Sequence, residues 1–252
     1  MAPKLKPAIP PLATTLPLLA LVPSFILTTV SLSRSDWSHR TIYDPTKSDL
    51  VELDNIETRS PFWSCPLAAS IVTNTLSDNT TVEETVFTPS CVHTLSPQGL
   101  CPNNAPRAPV FCQELSLAAE LLYAGNALIA AAVVGGIVVV VMGWVGWGGV
   151  LVRLLAGLGG LGVLSGVAFA VLALTVSQYP NGDWASTGLA GDGDPRELNK
   201  RGPWLLGRDV GVAGAGAVLA GVGAWIGGVV WDGVRDIPIR KKGTVVEGEK
   251  GE

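Results

Sequence analysis

Charged side chains are scarce in this chain: 17 basic and 21 acidic residues make up 15% of 252 positions, against roughly 25% in an ordinary soluble domain. A plain cytosolic globule is excluded on that ground. Glycine and proline are abundant, at 30 and 18 residues, but no three-residue period orders them, which excludes a collagen-like chain. Histidine is almost missing. His39 and His93 are the only two, and both precede the longest apolar stretches, so a histidine-rich membrane metal centre of the desaturase or hydroxylase type cannot be built. A Gly-x-Ser-x-Gly nucleophile sequence, a phosphate-binding glycine loop and an Asp-His-His-Cys sequence are absent as well. The string GLGGLG at 157–162 spells a dinucleotide fingerprint, but it lies inside an apolar run with no strand before it. No enzyme, metal site or cofactor is expected.

What is present is a segmentation. The charges avoid four stretches, each long enough to cross a bilayer core of about 30 Å as a helix. The first, 12–33, contains Pro17 and Pro23. A cleaved signal peptide competes for this segment, but Arg34-Ser-Asp-Trp37 follows it in place of a small-x-small cleavage site, which favours a retained span. From 121 to 182 Arg153 is the only charge. A single helix of that length would measure about 90 Å, three times the bilayer. The run must turn back on itself, and Met142-Gly-Trp-Val-Gly-Trp-Gly-Gly149 offers the turn. Spans are therefore placed at 118–141 and 151–176, and a fourth at 210–231.

Basic residues near the spans set the orientation. The 1–11 tail, the 142–150 turn with its neighbour Arg153, and the 232–252 tail together hold eight of the 17 Lys and Arg in a small part of the chain. These segments are expected in the cytoplasm and the connections 34–117 and 177–209 outside. The cysteines, the sequon Asn79-Thr80-Thr81 and most of the acidic excess all fall in the first connection, in agreement with that placement.

Cys65, Cys91, Cys101 and Cys112 are the whole cysteine complement. An even number in an oxidising compartment reads as a disulfide framework rather than a zinc site, since no Cys-x-x-Cys pair occurs; three pairings are open. Residues 69–76 and 80–88 are rich in β-branched side chains around Ser77-Asp78-Asn79 and predict a hairpin. The acidic excess of this connection, which includes Glu52, Asp54 and Glu57, reads as a solvated face and has no calcium-loop spacing.

Within the spans, small residues recur one helical turn apart: Gly162 with Gly166, Gly223 with Gly227, and Ala217 with Gly221. Such spacing lets helices approach closely, within one bundle or, as the sharper alternative, between copies in a homo-oligomer. Asn126 is the one strongly polar residue inside a span and reads as an interhelical hydrogen bond. With essentially no ionisable group at depth, a carrier that moves charged solutes through its own bundle is disfavoured. Beyond the last span, Arg235, Arg240, Lys241 and Lys242 either attract anionic lipid at the inner leaflet or serve only as a topology signal.

The expected fold is thus all-α membrane: a four-transmembrane-helix bundle carrying a small disulfide-pinned, partly β extracellular module. Together with Trp37 and Phe62-Trp63-Ser64-Cys65, that layout resembles the claudin-like four-span superfamily, which includes fungal cortical-patch and PalI-type proteins. The family's motif has Trp, two residues, Cys and a second Cys about ten on. Here Trp63 precedes Cys65 by two and the next cysteine lies 26 further, while Cys91 and Cys101 have the family's separation without the Trp. The resemblance implies a non-enzymatic plasma-membrane protein that organises membrane domains, cell-surface contacts or sensing complexes. Its partners would be membrane lipids and other membrane or cell-surface proteins, and no nucleic acid. A channel or channel-regulating subunit for cation entry is the alternative, with the acidic loop concentrating ions.

Overall fold

The computed structural model describes residues 11–41, 56–75, 81–94, 101, 109–142, 147–176 and 204–232. Asn79, Glu52, Asp54, the terminal tails with Arg235, Arg240, Lys241 and Lys242, and most of the second connection lie outside these residues. The chain builds four long helices: α1 (Pro11–Ser33), α2 (Pro109–Met142), α3 (Trp147–Val171) and α4 (Arg208–Gly227). The last two each run on into a π-helical turn, Leu172–Val176 and Gly228–Asp232.

All four are long and apolar enough to cross a membrane, which fits an integral membrane protein. Their surfaces point the same way. Large apolar side chains such as Val134, Val141, Leu154, Leu161, Val218 and Trp225 are exposed, whereas Ala132, Ala156, Ala170, Ala217 and Ala220 are buried between helices. A soluble bundle would turn its large apolar groups inward; in lipid, close approach of small residues does the packing. α1 packs against α2 and α4, and α3 against the same two, so the helices form an antiparallel ring. Alternate ends of the helices meet at one face, where Ser33, Pro109, Val176 and Arg208 all lie near the sheet.

α2 begins at Pro109, ahead of the expected span 118–141, which lies wholly within it. Proline has no N–H to leave unpaired in the first turn, and Cys112 in the second is tied to Cys101. At 34 residues, the helix extends beyond a bilayer core of about 30 Å.

The connecting segments contribute β1 (Ser38–Thr41), β2 (Ile56–Arg59), β3 (Trp63–Cys65), β4 (Leu67–Thr75), β5 (Thr81–Pro89), β6 (Val92–His93) and β7 (Leu205–Leu206). β6-β3-β2-β1-β7 form one antiparallel sheet. Its edge strand β7 comes from beyond α3, so the two long connections are joined in one layer. β4 and β5 form a separate hairpin with Leu67 opposite Pro89 and Thr75 opposite Thr81, on the residues whose β-branched content predicts it.

Candidate functional site

The sheet is inverted in polarity. In β1 and β2, Ser38 pairs with Arg59 and Arg40 with Glu57, and the alternation of a strand puts these four side chains on one face. That face is the buried one, while Ile56 points outward. Charged side chains are stable there because they meet the polar ends of the helices. Ser38 Oγ donates to the Leu174 carbonyl at 3.1 Å, and Arg59 Nη2 donates to the same oxygen. Carbonyls at a helix C-terminus lack intrahelical partners and carry the negative end of the helix dipole, so a guanidinium is well placed beside them.

Trp204, just before β7, completes this layer. The guanidinium carbons of Arg59 and Arg40 lie 3.7 Å and 4.5 Å from its ring centre, and Phe111 of α2 stands 5.7 Å from that of Arg59. Arg40 Nε donates to Glu57 Oε2 at 2.5 Å, and Glu57 Oε1 accepts from the Leu67 backbone N–H at 3.3 Å. Glu57 is therefore paired and buried, and does not belong to the solvated acidic face that its composition suggests. Its partner Arg40 is equally enclosed.

The ends of α1 and α4 are stitched together beside the sheet. Trp37 is fully buried and donates through Nε1 to the Ser31 carbonyl at 2.8 Å. Ser31 Oγ donates to the Asp209 carbonyl, the Gly207 N–H to the Trp37 carbonyl and the Asp209 N–H to the Asp36 carbonyl. Gly207 is required at this crossing, because a Cβ there would overlap the Asp36 carbonyl.

Two disulfides pin the module, Cys65 to Cys91 and Cys101 to Cys112. The first closes the base of the β4–β5 hairpin, reinforced by Ser90 N–H donating to the Pro66 carbonyl at 3.0 Å. The second ties the chain after β6 to the start of α2, beside Phe111. Phe62 packs edge-on against Tyr123 of α2, with ring centres 4.6 Å apart.

The span residues singled out by spacing are distributed over several helix contacts. A Cβ on Gly162 would lie 3.2 Å from the Gly125 Cα, and one on Gly166 would lie 2.7 Å from Leu122 Cγ, both across the α2–α3 contact. Gly223 faces Leu21 of α1, and Gly227 faces Trp231 and Arg153. Gly221 has open space where its Cβ would be. Asn126 links α1 and α2: Thr28 Oγ1 donates to its Oδ1 at 2.6 Å, and its Nδ2 donates to Thr29 Oγ1 at 3.2 Å.

The residues that organise the site, Arg40, Glu57, Arg59 and Trp204, carry no motif. The usable signal was the charge at alternate positions in Ile-Glu-Thr-Arg, which marks one face of a strand but not the face that is buried. Among the described residues, no three His, Cys, Asp or Glu gather to hold a metal ion. No model of a known protein family matches this chain, and no curated protein matches it.

Proposed function

We propose that this is a non-enzymatic plasma-membrane protein that organises or regulates its surroundings through the sheet-and-hairpin module, held on the extracellular side with both tails in the cytoplasm. The observation that carries this reading is the anchoring of the module. Its charged layer, Arg40, Glu57 and Arg59, is spent on Trp204 and the helix ends rather than turned toward a substrate. Beyond that fixed base, the β4–β5 hairpin pairs with itself alone among the described strands. A base tied to the helix ends and a hairpin free of the main sheet suit presentation of a surface to a neighbour.

Two disulfides belong to an oxidising compartment, and the distribution of Lys and Arg favours the same orientation. Asn79 falls in the segment joining β4 to β5, so a glycan there would cap the arm. The claudin-like resemblance is part of the same proposal, with membrane lipids, cell-surface proteins or further copies of the chain as partners. Among the described residues no observation favours the cation-channel alternative.

Surface crosslinking of intact cells followed by purification tests the reading. Wild type is expected to bring down a reproducible set of membrane neighbours. Cys65→Ser, which frees the base of the arm, is expected to lose them or to fail in surface delivery. Unchanged neighbours and unchanged delivery in Cys65→Ser overturn it. Glycosidase treatment checks the orientation: a mobility shift in wild type that disappears in Asn79→Gln is expected.

A further inference from the structure

A cleft of about 430 Å³ opens where α1 ends and α4 begins, with Arg34, Asp36, Trp63, Cys91, Arg208 and Asp209 among its walls. Its charges are unevenly satisfied. Arg208 Nε lies 3.0 Å from Asp36 Oδ2, and Arg34 Nη1 lies 3.8 Å from Asp209 Oδ1. Both guanidiniums otherwise face outward, their side chains 85% and 60% exposed. Each carries five N–H donors, so several remain for an incoming anion. The N-terminus of α4 adds its positive end at the same place.

Asp209 is the opposite case. Its side chain is 2% exposed, and its Oδ2 has no hydrogen-bond partner. Its backbone is held in place, the N–H donating to the Asp36 carbonyl and the carbonyl accepting from Ser31 Oγ. A buried carboxylate oxygen left without a donor is costly. A small group that donates hydrogen bonds and carries positive charge would complete it and offset the burial of its charge.

We infer that this cleft binds a phosphodiester bearing a primary ammonium, the chemistry of an ethanolamine headgroup, with the phosphate on Arg34 and Arg208 and the ammonium on Asp209. The two charges of such a group are separated by only two carbons, and Arg34 and Asp209 are correspondingly adjacent. A primary ammonium donates three hydrogen bonds, whereas a quaternary choline donates none. The cleft also lies at the ends of two apolar helices, the depth at which a lipid headgroup sits, and Trp63 beside it has the amphipathic ring common at that depth.

The full-length protein in detergent is titrated with short-chain phosphatidylethanolamine, short-chain phosphatidylcholine, glycerophosphoethanolamine and inorganic phosphate, and bound molecules are counted by native mass spectrometry. The ethanolamine lipid is expected to bind about tenfold more tightly than the choline lipid, the worth of one hydrogen bond to a charged group. Asp209→Asn is expected to erase that preference, and Arg208→Gln to weaken the ethanolamine lipid about tenfold by removing a phosphate contact. Arg208 is at the surface, so Arg208→Gln reports even where Asp209→Asn fails to fold. Binding of glycerophosphoethanolamine equal to that of the lipid assigns the site to a soluble ester, and loss of it assigns the site to membrane lipid; both support the headgroup chemistry. Equal affinity for the ethanolamine and choline lipids, inorganic phosphate binding as tightly as the ester, or unaltered binding in Arg208→Gln overturns it.

Discussion

The guanidinium of Arg59 stacks 3.7 Å from the ring centre of Trp204 while its Nη2 donates to the carbonyl of Leu174. One fully buried side chain thus joins the first connection, the second connection and the end of α3. The planar, delocalised cation suits this position because it can stack and donate at once, which an ammonium cannot.

Arg59→Lys is therefore expected to be destabilising in spite of the conserved charge. Losing the stack and a charge-assisted bond to a helix-terminal carbonyl should cost about 2–4 kcal/mol. Arg59→Met, which fills similar volume without burying an unsupported charge, should cost less than Arg59→Lys. Apparent thermal midpoints of the detergent-solubilised variants, followed by tryptophan fluorescence, check the order; a Lys variant as stable as wild type would show that the stack contributes little.

Arg40 and Glu57 are about 95% buried and 2.5 Å apart, so each neutralises the other. Removing one partner leaves an uncompensated buried charge, which costs about 3–5 kcal/mol, whereas removing both is far milder. Arg40→Met and Glu57→Leu should each lower the thermal midpoint strongly, and the double variant should recover much of the loss. A double-mutant cycle reads the coupling. Additive losses would mean that the two residues act through other contacts.

The helices were legible because their cause is local: an uncharged apolar run of sufficient length needs no knowledge of its neighbours. The β4–β5 hairpin was legible for the same reason, its β-branched runs flanking a turn. The five-stranded sheet was not. Its strands are as short as Val92–His93 and Leu205–Leu206, below the length at which a period of two can be recognised. The charges of Arg40, Glu57 and Arg59 argued for solvent until Trp204 and Leu174, remote in sequence, were brought over them. Disulfide pairing was equally hidden, since spacing permits three solutions and only the fold brings Cys65 to Cys91.

Glycine spacing marks candidates for helix contact without saying which are used, and substitution by alanine should separate them. A Cβ on Gly159 would lie 2.8 Å from Ile129 Cγ1 and 2.9 Å from the Gly125 carbonyl oxygen, while Gly157 has open space around its Cβ position. Gly159→Ala should force α2 and α3 apart and cost about 1–3 kcal/mol. Gly157→Ala should be neutral or stabilising by up to about 1 kcal/mol, since alanine is the better helix former. Comparable losses at both positions would place Gly157 in a contact between copies of the chain.

The two disulfides differ in access, and graded reduction should open them in order. Cys91 is exposed on the rim of the α1–α4 cleft, whereas Cys101 is 2% exposed and Cys112 packs against the same apolar cluster as Phe111 and Leu115. Thiol–disulfide exchange requires a nucleophile to reach a sulfur along the S–S axis, so burial slows it. Brief treatment of the folded protein with a phosphine, followed by alkylation and peptide mass analysis, should label Cys65 and Cys91 well before Cys101 and Cys112. The partly reduced species should keep the fluorescence of the buried Trp37 and Trp204, because the Cys65–Cys91 bridge closes the arm while Cys101–Cys112 clasps the module to α2. Labelling in the reverse order would mean that the clasp, not the arm, is the exposed bridge.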